Sequence, residues 1–161
     1  MCIRDSLYIV FSSGTTGKPK CIVHSIGGVL IQHAKEHLLH TDLSAKCKMF
    51  YFTTCGWMMW NWLVGSLFCK SSIILYEGSP FYPNPERLWE IAEKTELNVF
   101  GTSAKYIDAL SNSNINPKHH FQLDNLRTIC STGSPLSPDS YDYILNNIKS
   151  DVQIASISGG T

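Results

Sequence analysis

The chain has 161 residues, 43% of them hydrophobic, which is enough for one domain with a substantial core and too apolar for a disordered segment. Thirteen Lys and Arg balance thirteen Asp and Glu, leaving none of the basic field that nonspecific nucleic-acid or anionic-membrane binding requires, so any anion must be met by local groups. The six cysteines form no Cys-x-x-Cys pair and no zinc spacing, and they read as reduced thiols of a cytoplasmic protein.

No apolar run approaches the ~18 residues of a membrane span, and the amino terminus lacks the basic-then-apolar order of a signal peptide. Residues 1–6 continue no pattern and read as a non-native or disordered leader. Residues 7–11 (LYIVF) are a continuous apolar run, which predicts a strand covered on both faces. It leads into the loop SSGTTGKPK at 12–20, after which Cys21, Ile22 and Val23 are again strand-like, so the loop is expected between two strands. Ile26, Val29, Leu30, His33, Ala34, His37 and Leu38 then fall on one helical stripe, with Gln32, Lys35 and Glu36 facing away.

Strand-like runs at 49–52, 73–76, 99–100, 128–130 and 152–157 alternate with helical patterns. Asn84-Pro85 and Ser137-Pro138 each offer a capping side chain followed by proline at a first helical position. After the second, Tyr141, Ile144, Leu145 and Ile148 form the stripe expected to be buried, while residues 112–120 read as a polar surface loop. The order β-α-β-α predicts an α/β fold: a mostly parallel sheet with helices on both faces, whose ligands lie at the carboxyl ends of strands.

The loop at 12–20 follows such an end. Its small residues let backbone N–H groups turn toward an anion, the hydroxyls of Ser12, Ser13, Thr15 and Thr16 add donors, and Lys18 and Lys20 supply charge. A plain surface turn has the same small residues; the two lysines favour polyphosphate. The nucleotide-hydrolase pattern G-x-x-x-x-G-K-[ST] fails twice, at Ser12 and at Pro19, and Pro19 also disfavours a helix beginning at Lys18.

The segment YIVFSSGTTGKPKCIVHS resembles the phosphate-binding signature of the adenylate-forming superfamily, the acyl-CoA synthetases, luciferases and peptide-synthetase adenylation domains, with Cys21 where glycine is usual. Together with HLLHTDL, TTCGWMMWNW, LYEGSP, STGSPLSP and SISGGT, it narrows the resemblance to the acetoacetate-activating acyl-CoA synthetases over residues 7–161. The resemblance implies a ligase that joins an acid to AMP at the expense of ATP and then passes the acyl group to coenzyme A. By position it makes Lys18 and Lys20 catalytic candidates and Ser12, Ser13, Gly14, Thr15, Thr16 and Gly17 the ATP-phosphate loop. Gly56, Trp57, Met58, Met59 and Thr132 become acyl and coenzyme A pocket candidates, although large apolar residues opening a helix are more often plain core, where Trp60 and Trp62 are expected. Gly133, Ser134, Pro135, Ser158, Gly159, Gly160 and Thr161 become nucleotide contacts, with Ser134 departing from the acidic residue common in the family.

Ser158 and Gly159 match a tryptophan pair of the acetate-specific relatives; replacing the second indole by glycine opens volume for a longer acid, which suits acetoacetate. The magnesium carboxylate of the family, a ribose-binding aspartate and a later arginine and lysine are expected beyond Thr161, so residues 7–161 read as the central part of an AMP-binding domain, truncated at both ends and inactive alone. His33 and His37 have a metal-like spacing without the HExxH glutamate, and no metal ligand is assigned within the chain. The partners implied are small molecules only, with neither nucleic acid nor membrane. Another short-chain acyl-CoA synthetase and a noncatalytic nucleotide-binding module are the alternatives.

Overall fold

The computed structural model describes residues 5–12 and 17–161. An antiparallel hairpin of β1 (Ser6–Phe11) and β2 (Cys21–Ser25) leads into α1 (Ile26–Lys35), which continues as a π turn at Glu36–His40. Then follow β3 (Lys48–Tyr51), α2 (Met58–Gly65) with a 3-10 turn at Ser66–Cys69, β4 (Ser72–Ile74), α3 (Arg87–Lys94), β5 (Val99–Ser103), α4 (Ala104–Asn112), α5 (Pro117–His120), β6 (Thr128–Thr132), α6 (Pro138–Tyr143) with a π turn at Ile144–Ile148, and β7 (Gln153–Ser156). The last five strands form one sheet in the order β4-β3-β5-β6-β7, with every neighbouring pair parallel.

Successive strand residues point to opposite faces, and each face has its own cover. Phe50, Phe100 and Ile129 lie on one side against Leu88 and Trp89 of α3, Ile107 and Leu110 of α4, and Ile144 and Ile148 beyond α6. Met49, Tyr51, Val99 and Cys130 lie on the other, under Met59, Trp62 and Leu63 of α2, and α1 packs against α2, with His37 and Trp62 rings 4.5 Å apart. Gly101 in the central strand is required by close approach: a Cβ there would overlap the Tyr51 ring, whose hydroxyl donates to the Thr102 carbonyl at 3.1 Å. The predicted α/β architecture with helices on both faces is the observed one, and the strands at 49–52, 73–76, 99–100, 128–130 and 152–157 are present with small changes in extent.

Several local expectations are corrected. β1 is not covered on both faces: it pairs with β2 alone, its burial alternates, and Leu7, Ile9 and Phe11 are exposed. Along α1 and the π turn after it, the members of the expected stripe that are buried are Val29, His33 and His37, while Ile26, Leu30 and Leu38 face solvent. Asn84-Pro85 is a turn in which Asn84 Oδ1 accepts the Glu86 N–H at 3.0 Å, and the helix starts at Arg87. Ser137-Pro138 does cap α6, Ser137 Oγ accepting the Ser140 N–H at 3.2 Å. The i→i+5 turn that follows shifts the helical phase, so Tyr143 is buried and Leu145 is exposed. Residues 112–120 are not all loop, since Pro117 is buried at the start of α5.

Candidate active site

In a parallel sheet every strand ends on the same side, so the segments leaving β3, β6 and β7 are delivered to one edge. There they form a cleft of about 780 Å³, lined by residues 8–11 of β1, residues 55–59 and Asn61, residues 132–134, and residues 157–161. The ends of β6 and β7 are tied together, Thr132 Oγ1 donating to the Ile157 carbonyl at 2.8 Å and the Ile157 N–H donating to Ser131 O at 2.7 Å. Gly133 adopts φ +93°, a conformation that glycine allows without strain, and so turns the chain out of β6 along the cleft. The Trp57 ring stands beside it, in edge contact with Tyr51 at 6.0 Å between centroids.

The helix α2 opens on this cleft. Its N-cap, Trp57, offers no side-chain acceptor, so backbone N–H groups of the first turn, carried by Met58 and Met59, are left for other acceptors. A helix amino terminus of this kind favours an anion such as a carboxylate. Met59 serves two purposes, since it is buried in the core and also lines the cleft. Trp62 is core as expected, and Trp60 is half-buried against the same cluster.

The cleft therefore gathers Gly56, Trp57, Met58, Met59, Thr132, Gly133, Ser134, Ser158, Gly159, Gly160 and Thr161. Pro135, Ser12, Gly17, Lys18 and Lys20 do not line it; Gly17, Lys18 and Lys20 are exposed, and Ser13, Gly14, Thr15 and Thr16 lie outside the described residues. Ser12 closes the base of the loop: its Oγ accepts the Lys20 N–H at 2.9 Å and its own N–H donates to Lys20 O at 2.9 Å. Its hydroxyl hydrogen is not used in either bond. Residues 8–11, Cys55, Asn61 and Ile157 are wall residues that the sequence reading did not assign. Only adjacency to the assigned motifs points to them.

Behind α2 lies a polar cluster in which His33 and His37 are buried, Glu36 is half-buried and Gln32 is exposed. Glu36 accepts from Trp62 Nε1 at 2.6 Å and from Gln32 Nε2 at 2.5 Å, and His37 Nε2 donates to the Trp62 carbonyl at 2.9 Å. Burial outweighs that carbonyl and Glu36, and lowers the His37 pKa to about 4; it also holds His33 below its ordinary value. Both imidazoles are neutral at pH 7. Among the described residues no three His, Cys, Asp or Glu side chains are grouped to hold a metal ion.

Comparison with known proteins gives a consistent picture. Residues 3–155 match the family model described as AMP-binding enzyme. The acetoacetyl-coenzyme A synthetase of Rhizobium meliloti (strain 1021) is 56% identical over 155 residues, which are 96% of this chain and 24% of that protein. The acetoacetyl-CoA synthetase of Gallus gallus is 51% identical over 96% of this chain and 23% of its own length. The solved structure of acetoacetyl-CoA synthetase from Streptomyces lividans superposes with a TM-score of 0.90 at 43% identity, covering 97% of this chain and 25% of that one. The chain thus spans about a quarter of the length of these relatives.

Proposed function

The chain belongs to the family of AMP-binding enzymes, and we propose that it supplies part of the site at which a ligase joins acetoacetate to coenzyme A. In the proposed reaction a carboxylate oxygen attacks the α-phosphorus of ATP, forming the acyl-adenylate and releasing pyrophosphate. The thiol of coenzyme A then loses its proton and attacks the acyl carbon, and AMP leaves. The observation that carries this reading is the convergence of residues 56–59, 132–134 and 158–161 on one cleft at the carboxyl edge of the sheet.

The chemistry explains the division of labour. A carboxylate approaching a triphosphate is anion against anion, so donors must offset the repulsion and hold the charge that develops. The first turn of α2 is suited to orient the carboxylate, with Met58, Met59, Trp57 and Thr132 excluding water around the acyl chain and the pantetheine arm. Gly133, Ser134 and Pro135 with residues 158–161 are assigned to the nucleotide, the Ser134 contact being through backbone. Ser12, Ser13, Gly14, Thr15, Thr16 and Gly17 are assigned to the phosphates, with Lys18 and Lys20 as the cations. Magnesium accompanies ATP in such a reaction, yet the cleft lining among the described residues contains no carboxylate to hold it, and no step is routed through it here. Residues 7–161 are accordingly proposed as part of an AMP-binding domain of a cytoplasmic enzyme with small-molecule partners; among the described residues no helix is long and apolar enough to cross a membrane.

The test is acid-dependent exchange of pyrophosphate into ATP by the full-length protein that carries this segment. Exchange is expected with acetoacetate in preference to acetate. Gly159 has open space where a side chain would begin, so Gly159→Trp is expected to lower kcat/KM for acetoacetate by about tenfold to a hundredfold and spare acetate, a ratio typical of closing an apolar pocket. Faster exchange with acetate in the unsubstituted protein would overturn the substrate assignment, and ATP hydrolysis indifferent to any acid would overturn the ligase.

A further inference from the structure

A second cavity, of about 270 Å³, opens from the main cleft and shares with it Tyr8, Met58, Met59 and residues 157–161. Its far wall comes from β2 and α1, and it is polar: His24, Gln32, His33 and Glu36 face the apolar Val29 and Trp62. Two of these four are already committed, since the carboxylate of Glu36 is held by Gln32 and by the Trp62 indole. His24 is not. Its Nε2 is buried with no hydrogen-bond partner, while its ring packs on Tyr8 at 5.1 Å between centroids.

An unpaired buried ring nitrogen costs stability that a bound partner would recover, and a turn of the His24 ring about its Cβ–Cγ bond would present that nitrogen to the cavity. His33 is fixed beside it by sterics: its ring lies across Gly65 of α2, where any Cβ would overlap it. On the ligase reading, the acid's carboxylate must stay in the main cleft near the α2 terminus, so the remainder of the acid extends toward this cavity past Gly159.

We propose that this cavity receives the distal end of the acid, and that the imidazoles of His24 and His33 hydrogen-bond its 3-oxo oxygen and so select a 3-oxo acid over an unsubstituted acid of the same length. The inference rests on the ligase reading and adds the element of substrate recognition to it. A ring N–H donates and a ketone oxygen accepts, so the proposed bond runs from the ring N–H to the carbonyl oxygen of the acid. Size alone cannot make this distinction, because butyrate and acetoacetate occupy nearly the same volume. A site built around a hydrogen bond can, since the analogue leaves the protein's polar group unpaired.

The experiment measures pyrophosphate exchange by the full-length protein with acetoacetate and with butyrate, for the unsubstituted protein and for His24→Leu. The expected result is a preference for acetoacetate in the parent that falls by about tenfold or more in His24→Leu through loss of acetoacetate exchange, with butyrate exchange kept or improved. Where His24→Leu does not fold, His33→Leu gives the same ratio test. An unchanged ratio, or an equal fall with both acids, overturns the recognition proposal and leaves the ligase standing. Exchange with neither acid in the parent overturns both.

Discussion

The two faces of the five-stranded sheet are packed by different chemistry. On the α3, α4 and α6 side the layer is dominated by aliphatic and aromatic side chains: Trp89 stacks on Phe100 at 4.4 Å and 19°, among Leu88, Ile107, Leu110, Ile129 and Ile144. On the α1 and α2 side the aromatic and sulfur-containing layer of Tyr51, Met59, Trp62 and Cys130 is backed by Glu36 and His37, which hydrogen-bond to Trp62, and by His33, whose ring packs edge-on against His37. The first arrangement is stabilised mainly by apolar area, with the Tyr106 and Tyr143 hydroxyls donating to backbone carbonyls. The second spends stability on polar groups, of which His33 and Glu36 line the cavity adjoining the cleft.

The largest expected effect tests the first face. Trp89→Ala removes a fully buried indole from its stack on Phe100 and leaves a cavity, so a loss of about 3–5 kcal/mol is expected in denaturant titration. That loss should be the same at pH 5 and pH 8, because no titratable partner faces the ring. A cost below about 1 kcal/mol would mean that this layer is loosely packed and that the contrast between the faces is wrong.

The second face should instead answer to pH. His37 is buried and neutral, its pKa lowered to about 4 by desolvation against the opposing pull of the Trp62 carbonyl and Glu36, with His33 adding to the lowering. Between about pH 6.5 and pH 4 the unfolded chain therefore binds more protons than the folded one, and stability falls as pH falls through that window. Below about pH 4 both states are protonated and nothing more is lost from this source. The full drop is about 3 kcal/mol, and His33 adds to it in the same direction. His37→Leu should lower stability at pH 8, because the Trp62 carbonyl loses its donor, yet flatten the slope between pH 4 and 6.5. An unchanged slope in the variant would assign the acid sensitivity to other groups.

The contrast also explains what could be read from the sequence. The parallel sheet was legible because its strands are short apolar runs punctuated by helical periodicity, and the Ser137-Pro138 cap was legible because the interaction is local. The stripe on α1 was legible only in part: Val29, His33 and His37 are buried as expected, but Ile26, Leu30 and Leu38 are exposed, and the notch that Gly65 of α2 leaves for the His33 imidazole lies on another element. No window on α1 contains that information. The site was legible to the extent that its walls are contiguous motifs following strands, at 56–59, 132–134 and 158–161. Residues 8–11 were missed as wall because their placement depends on pairing across the loop with β2, and the exposed faces of Leu7, Ile9 and Phe11 break the expectation of a doubly covered strand.

The smallest effect expected is a difference in thiol reactivity, and it asks how firmly the second face is closed. Cys130 sits at the centre of the sheet under α2, and burial pushes its thiol up to about 12, so at pH 7 to 8 it is neither ionised nor accessible. Cys55, at the rim of the cleft, and Cys21, on β2, are both exposed to reagent. Brief alkylation of the native protein followed by mass mapping should modify Cys55 and Cys21 and leave Cys130 intact, and ligands filling the cleft should slow Cys55 but not Cys21. If Cys130 were modified faster than global unfolding allows, α2 would be lifting from the sheet as a local unit. The polar layer would then lower the barrier to opening the floor of the cleft, and the difference between the two faces would be kinetic as well as energetic.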